Sequence, residues 1–583
     1  MTQQSSIADL LAAAVRQHEV GELAAAEELY RRVLTRDPAH PDALHLLGLV
    51  AQAAGDFTSA AAGIRQALAL RPDEAVFHYN LANVLRDAGQ LDAAIASYRA
   101  ALALRPQDAD TLLNLGNALV AHGEPGAAVD SYRTLLRHVP TAMDGGRSGL
   151  LPSRGITPSM EGRSAEREAV SERGLIHWTN AGAVFRPQHL DAQINLGQVL
   201  RALGDVAGAR AAYQAVVALD AGSVAAHLGL GVLCQEAGDF EAALQYYQAA
   251  LQTDPDYAPA WNNLGTWHQE RGERTAAADC YRRALALDAQ DAEAHNNLGT
   301  LLAEEDRTVE AEACYRTALQ VRPEFAEAHK NRGAVLQALG RHDEALASFR
   351  EAVRLRPDFA EAAYKLAALS GERPPASAPA EYVAALFDGY AGEYDQHLTS
   401  TLQYRVPQAL CALLAGRVPE GSVLNVLDLG CGTGLSGAAL RGLARQLTGI
   451  DLSPRMLART RERGFYDRLI EGDIVQVLAG QDASFDLVVA ADVFVYIGDL
   501  EAVLASAGQV LRPGGWLAFS VESLSEGEYR LQPTGRYAHA PAYIEALARR
   551  HGFERVAEQE VTLRVEQGRP VAGQLQLWRR ALT

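Results

Sequence analysis

The residues best placed to do chemistry stand in the run 428–434, where Asp428 is followed by Gly430, Gly432 and Gly434 at alternate positions. Glycine adopts backbone angles closed to other residues and lets the main chain approach a ligand closely. The apolar stretch 423–427 just before lacks polar alternation, as a strand buried on both faces does. A buried strand ending in a glycine turn that opens a helix is a nucleotide-binding arrangement. Further acids stand at the ends of strand-like runs: Asp451 after 446–450, Asp473 after 468–471 and Asp492 after 485–490. Asp451 lies 17 residues beyond Gly434, close to where a carboxylate must sit to accept ribose hydroxyls. The turn reads G-C-G-T-G rather than G-x-G-x-x-G, so a dinucleotide pyrophosphate is the poorer fit.

Two histidines are candidates for a general base, because imidazole titrates near neutral pH. His539 precedes a helical stretch at 541–551, and His397 follows Tyr390 and Tyr394 in the segment 386–398. For each, a structural or helix-start role is the competing reading. The five cysteines (Cys234, Cys280, Cys314, Cys411 and Cys431) show no C-x-x-C spacing, so neither a metal site nor a disulfide framework is expected.

The elements that must position these residues alternate in type. Strand-like runs at 423–427, 446–450, 468–471, 485–490 and 516–521 are separated by helical stretches near 435–445, 453–463, 474–479 and 499–511. This alternation predicts a doubly wound parallel sheet with helices on both faces. The tail adds a helix at 541–551 and two longer strands, 554–565 and 571–579, expected to pair as an antiparallel hairpin. On such a sheet a ligand lies beyond the carboxyl ends of the strands, where the strand order switches.

Ahead of this domain the chain is repetitive. Prolines 38, 72, 106 and 140, and again 255, 323 and 357, keep a period of 34, and glycines 21, 55, 89, 123, 204, 238, 272 and 340 follow it. Each glycine falls midway between two amphipathic helices, as a helix-turn-helix unit requires. The pattern closely resembles the tetratricopeptide repeat, with nine units over roughly residues 7–357 and a partial helix to about 370. The resemblance implies an all-α superhelix whose concave groove takes a protein or peptide partner. Asn80, Asn114, Asn195, Asn263, Asn297 and Asn331 share one repeat position, and amides with both donor and acceptor could pair with an extended peptide backbone. This ladder looks like that of the repeats in O-linked N-acetylglucosamine transferase; the competing reading is that these amides satisfy neighbouring helix groups. Residues 141–187 interrupt the period, either as a disordered insert or as a stretch read out of frame in place of a tenth repeat.

The Pro-rich stretch 371–380 reads as a linker between the array, 1–370, and a second domain, 381–583. That domain resembles class I S-adenosylmethionine-dependent methyltransferases through the 426–434 run, Gly449 to Met456, the run 485–489 and Leu511 to Gly515. The expected fold is thus multidomain: an all-α tetratricopeptide superhelix followed by an α/β Rossmann-like methyltransferase domain. The resemblance implies S-adenosyl-L-methionine as cofactor. Gly430, Gly432 and Gly434 would line its methionine and ribose side after Asp428, Asp451 would hold the ribose hydroxyls, Asp473 would meet the adenine amino group and Ile474 would flank the ring. Asp492 would face the methionine ammonium or the acceptor, and Tyr394 would close over the site.

After the fourth strand the chain reads Ala490, Ala491, Asp492, Val493, Phe494, not the Asn/Asp-Pro-Pro-aromatic turn that grips a planar base amine. Together with a net charge of -19, this argues against a nucleic-acid partner. No apolar run is long enough to cross a membrane and the N-terminus lacks a signal-peptide pattern, so a cytoplasmic location is expected. The preferred function is methyl transfer to an acceptor on a protein or carrier recruited by the array. The alternatives are a free small-molecule acceptor, with repeats serving assembly, and a peptide-binding scaffold with an inert cofactor domain.

Overall fold

The computed structural model describes residues 6–138, 185–372, 374–390, 395, 398, 402–418, 423–566 and 569–582. Most of the irregular stretch 141–187 lies outside them. By compactness the chain divides into two units, Met1–Ala289 and Gln290–Thr583.

The first unit is a series of helix pairs. Their turns place Gly21, Gly55, Gly89, Gly123, Gly204, Gly238 and Gly272 at positive φ, so the glycine period marks where the chain must reverse. Within a pair, a small residue on the first helix receives an aromatic ring from the second. Gly265 on helix Ala258–Glu270 faces Tyr281 on helix Arg274–Leu287; a Cβ added at Gly265 would stand 2.6 Å from the Tyr281 ring. Tyr281 is fully buried and its hydroxyl donates to Gln269 Oε1 at 2.8 Å. Gly116 and Tyr132 repeat the arrangement.

The second unit continues the pairs with Ala292–Glu304, Thr308–Val321, Ala326–Ala338 and His342–Leu355, and ends them with the single helix α1 (Ala360–Ser370). Here Asp306 takes the turn position at φ 62, a conformation that Asp tolerates better than most residues. The helices α2 (Ala380–Tyr390) and α3 (Val406–Leu414) lead into the sheet domain. It runs β1 (Leu424–Leu429), α4 (Leu435–Leu440), β2 (Ala444–Asp451), α5 (Pro454–Arg463), β3 (Arg468–Glu471), α6 (Ile474–Leu478), β4 (Phe485–Ala490), α7 (Glu501–Val510) and β5 (Leu511–Ser523). There follow β6 (Tyr529–Leu531), β7 (Tyr537–His539), α8 (Pro541–Arg550), β8 (Phe553–Glu566) and β9 (Arg569–Arg580).

The strand order is β3-β2-β1-β4-β5-β7-β6, with β9 antiparallel to β5 and to β8. Strands β1 to β5 are mutually parallel, and the order reverses between β1 and β4. Alternate residues of the central strands feed two cores. Leu427, Leu429, Val488 and Ala490 pack with Val503 and Leu504 of α7 and Ile544 of α8, whereas Val426, Leu487 and Val489 pack with Leu410 and Leu413 of α3 and Leu575 of β9. A strand with a core on each face needs no polar residue on either, hence the apolar pair Val426 and Leu427 before Asp428, while Asn425 at the less buried start of β1 donates to the Ser484 carbonyl at 3.2 Å.

Two features depart from the sequence reading. The helix expected over 435–445 ends at Leu440, because Arg441–Leu443 tighten into a 3-10 turn and Ala444 and Arg445 already belong to β2. The strands β6 and β7, three residues each, carry no periodicity long enough to be read and form only by pairing with each other and with β5.

Gly265→Ala should destabilise the array by about 1–3 kcal/mol, since the new methyl must displace a close-packed ring. Urea unfolding followed by far-UV circular dichroism would measure the loss.

Candidate functional site

Beyond the carboxyl ends of β1, β2 and β4 lies a cavity of about 350 Å³. Gly430 and Gly432 enter it from the turn after β1, Asp451 and Leu452 from β2, Asp473 and Ile474 from the start of α6, and Asp492 and Tyr496 from the segment after β4. All three glycines of the turn hold positive φ, 66° at Gly430, 55° at Gly432 and 86° at Gly434. Gly434 caps α4 rather than lining the cavity.

Asp451 organises this wall. Its Oδ2 accepts the Gly432 amide at 2.8 Å and its Oδ1 the Ser453 amide at 2.9 Å, so the end of β2 is tied to the glycine turn of β1. Burial pushes the carboxyl up from its ordinary range, and the two amides oppose that shift. Asp473 caps α6 by accepting the Gln476 amide at 3.0 Å. Asp428 stands behind the turn with no exposure, accepting the Tyr466 hydroxyl at 2.5 Å on one oxygen. Burial raises its pKa to about 7, partly opposed by the Tyr466 hydrogen bond.

Asp492 adopts φ 61 and lines the cavity while its carboxylate is held by Arg564 at 3.0 Å. Arg564, on β8, is 1% exposed and also pairs with Glu522 and, at 2.6 Å, with Glu566. Glu566 in turn pairs with Arg536. The sequence reading passed over Arg564, Glu522 and Arg536, because all but the Arg564–Glu566 pair span 30 to 72 residues and no spacing links them.

The cavity has a wall that motifs did not reveal either. Residues 376–380, Val383 and Phe387 line it, so the stretch read as a linker is part of the site. Its composition gave the loop but not its destination. Asp388 accepts the Ser453 hydroxyl at 2.5 Å and Asp395 accepts that of Thr433 at 2.5 Å, which fastens this segment over the glycine turn. Tyr394 and His397 lie outside the described residues. His539 corrects the reading of it as a general base: it is fully buried, and its Nε2 is bound to the carbonyls of Ile497 at 2.9 Å and Gly498 at 3.1 Å. Burial lowers its pKa to about 4, and the ring holds the 497–498 loop instead of facing the cavity.

The asparagine position of the repeats is engaged at several rungs. Asn80 bonds His45 at 2.8 Å, and Asn114 donates to Tyr79 at 2.9 Å, Asn195 to Asn117 at 2.9 Å and Asn331 to Asn296 at 3.0 Å. Asn263 lines a hollow of about 240 Å³ with Gln235, Glu236, Tyr247 and Glu270, and Asn297 sits beside Asn296. The amide nitrogens of Asn114 and Asn331 each face a second neighbour as well, Asn83 and Thr300, both at 3.5 Å. Among the described residues no cluster of His, Cys, Asp and Glu is arranged to hold a metal, and no helix is long and apolar enough to cross a membrane.

The donor set of the cavity suits a cationic nucleoside. Asp451 and Asp473 offer carboxylate acceptors to hydroxyl or amino groups, Leu452, Ile474 and Val475 offer apolar surfaces to a flat ring, and Asp492 and Asp499 add negative charge. None of the described residues lining it is Lys or Arg, which disfavours a phosphate-bearing ligand. Fold and site thus define an α/β domain with a cavity at the reversal of its strand order, following a helical repeat array in the chain.

Comparison with known proteins agrees. A methyltransferase-domain family model matches residues 427–519. Tetratricopeptide-repeat models match 11–75 and 82–123, and a model of the cilia and flagella-associated protein 70 C-terminal domain matches 159–402. Malonyl-[acyl-carrier protein] O-methyltransferase of Pectobacterium atrosepticum is 34% identical over 190 residues, 31% of this chain and 72% of that protein. Ubiquinone biosynthesis O-methyltransferase of Thiobacillus denitrificans is 28% identical over 149 residues, 22% of this chain and 64% of that one. YrrB, a solved tetratricopeptide-repeat protein described as having an unusual peptide-binding site, is 24% identical, covering 30% of this chain and 89% of its own, with a TM-score of 0.24. The chain belongs to the S-adenosylmethionine-dependent methyltransferases, with tetratricopeptide repeats ahead of the methyltransferase domain.

Asp428 bears on stability with a definite sign. Its folded pKa is raised from 3.8 to about 7, so between those values the folded state binds the extra proton and stability falls as pH rises. Asp428→Asn should flatten this decline and stabilise the protein at pH 8 by a few kcal/mol, on the order of the shift itself. Urea titrations of both proteins at pH 5 and pH 8 would show it. Arg564→Met leaves three carboxylates without their shared cation and should cost about 3–5 kcal/mol in the same assay at pH 8.

Proposed function

We propose that this chain transfers the methyl group of S-adenosylmethionine to an acceptor carried by a protein, with the repeat array recruiting the carrier. The observation that carries the cofactor half is the convergence of the Gly430–Gly432 backbone, Asp451 and Asp473 on one cavity without a cationic side chain in its described lining. In this reading the glycine turn and Asp492 hold the methionine end, Asp451 the ribose hydroxyls, Asp473 the adenine amino group, and Ile474 flanks the ring. The bound cofactor supplies an already activated sulfonium methyl.

The chain's own residues then act by placement and by excluding water, which together can supply much of the acceleration of a bimolecular transfer. Tyr496, Val383 and Phe387 narrow the cavity, and the buried Arg564 fixes the direction of Asp492. An acceptor that arrives already deprotonated, such as a carboxylate, needs no base from the wall. This agrees with the burial of His539 and with the carrier-bound acceptor named for the malonyl-[acyl-carrier protein] relatives. The asparagine position and the hollow at Asn263 offer the recruiting surface.

Calorimetric titration of the full chain with S-adenosylhomocysteine tests the first half: micromolar binding is expected, abolished in Asp451→Ala. No heat from the wild-type protein sinks the cofactor assignment. Tritiated methyl transfer to malonyl-loaded acyl carrier protein, set against the free malonyl pantetheine thioester, tests the second half. Equal rates on the two would overturn recruitment by the array, whereas loss of the preference in Asn263→Ala, Asn297→Ala, Asn331→Ala would support it.

A further inference from the structure

The cavity wall is not self-supporting, and what holds it reaches back to the last repeat helix. The segment after β4 is zipped to the linker: Ala378 donates to the Tyr496 carbonyl at 2.8 Å, and Gly498 and Asp499 donate to that of Ala376 at 2.8 and 2.9 Å. Both strips line the cavity. They rest on a cluster of aromatic rings in which Tyr364 of α1 packs against Tyr382 of α2 and Tyr537 of β7, with ring centroids 5.5 and 6.2 Å away. Tyr537 donates to the Pro375 carbonyl at 2.7 Å, so β7 holds the start of the linker.

The turn between β6 and β7 is clasped from the repeat side. Tyr364, 1% exposed, donates its hydroxyl to the Gly535 carbonyl at 2.7 Å, and Gln337 of the preceding repeat donates to that of Pro533 at 2.7 Å. Arg536, next in the chain after Gly535, has its guanidinium beside the Tyr496 phenol and paired with Glu566 of the Arg564 cluster. The route from helix to cavity is thus continuous: Tyr364, Gly535, Arg536, Tyr496.

We propose that Tyr364 is a positioning residue for the methyl-transfer site, setting the Tyr496–Asp499 wall through the β6–β7 turn, so that the last repeat helix and the cavity are energetically coupled. This rests on the methyltransferase reading for its chemistry but not for its geometry. A buried hydroxyl-to-carbonyl bond contributes about 1 kcal/mol, or about a fivefold change in an equilibrium it controls. Coupling is reciprocal, so a ligand in the cavity should tighten α1 to the same extent.

The test compares two full-length variants that each lose one buried tyrosine hydroxyl. Tyr364→Phe keeps the ring and removes the bond to Gly535; Tyr315→Phe removes a comparable bond, to Thr300 at 3.1 Å, within the repeats. Hydrogen exchange of peptides covering 494–500 and 529–539 should quicken about fivefold in Tyr364→Phe and stay at the wild-type rate in Tyr315→Phe. S-adenosylhomocysteine affinity should weaken by a similar factor in the first variant alone. Adding S-adenosylhomocysteine to the wild type should slow exchange in 360–370. Wild-type exchange at 494–500 in Tyr364→Phe, or the same changes in both variants, overturns the proposal. Absence of S-adenosylhomocysteine binding in the wild type overturns the cofactor reading instead, and the exchange rates at 494–500 still decide the coupling.

Discussion

The hydrogen bond from the Gly432 amide to the Asp451 carboxylate carries the architecture of the site. It joins the carboxyl ends of two adjacent parallel strands at 2.8 Å, just beside the reversal of strand order between β1 and β4. A carboxylate buried at that depth is held only if backbone donors replace the water it has lost, and the Gly432 and Ser453 amides do so. The replacement needs the amide of Gly432 to point back toward β2, which the left-handed angles of Gly430, Gly432 and Gly434 permit. Turn, carboxylate and strand order are therefore one constraint.

Around that constraint the structure spends burial on charge. Asp428 lies beneath the turn in a site where burial raises its pKa to about 7, while Arg564 gathers Asp492, Glu522 and Glu566. A buried guanidinium shared among three carboxylates contributes little net stability over an apolar alternative. What it does fix is direction: Asp492 is kept at the cavity edge in a conformation that few residues adopt, and the tail hairpin is tied to the strand ends.

The chain ahead of the sheet does more than precede it. Linker residues 376–380 form part of the cavity wall, and the ring of Tyr364 fills the aromatic cluster against which that wall rests. Evolutionary addition of a repeat array to a catalytic domain is usually pictured as beads on a string, with relative motion as the default. Here Tyr364 of the terminal repeat helix donates a buried hydrogen bond to the Gly535 carbonyl of the β6–β7 turn, and Gln337 of the helix Ala326–Ala338 adds an exposed one to Pro533.

Much of this was legible in the residues themselves. The 34-residue beat of glycines marks the helix pairs because only a few residue types reverse the chain at positive φ, and Asp306 shows a substitution that the beat tolerates. The apolar run before Asp428, and the acids at 451, 473 and 492, announced a parallel sheet and the edge where its ligand lies, since these signals are local and periodic. What only the tertiary structure decided is the other half of the site. The partnership of Arg564 with Asp492, the seating of His539 against Ile497, the strands β6 and β7, and the folding of the linker into the cavity wall all join residues far apart in the chain. Such contacts leave no period in the sequence, because loop closure costs nearly the same for many pairings and only the packed core selects among them.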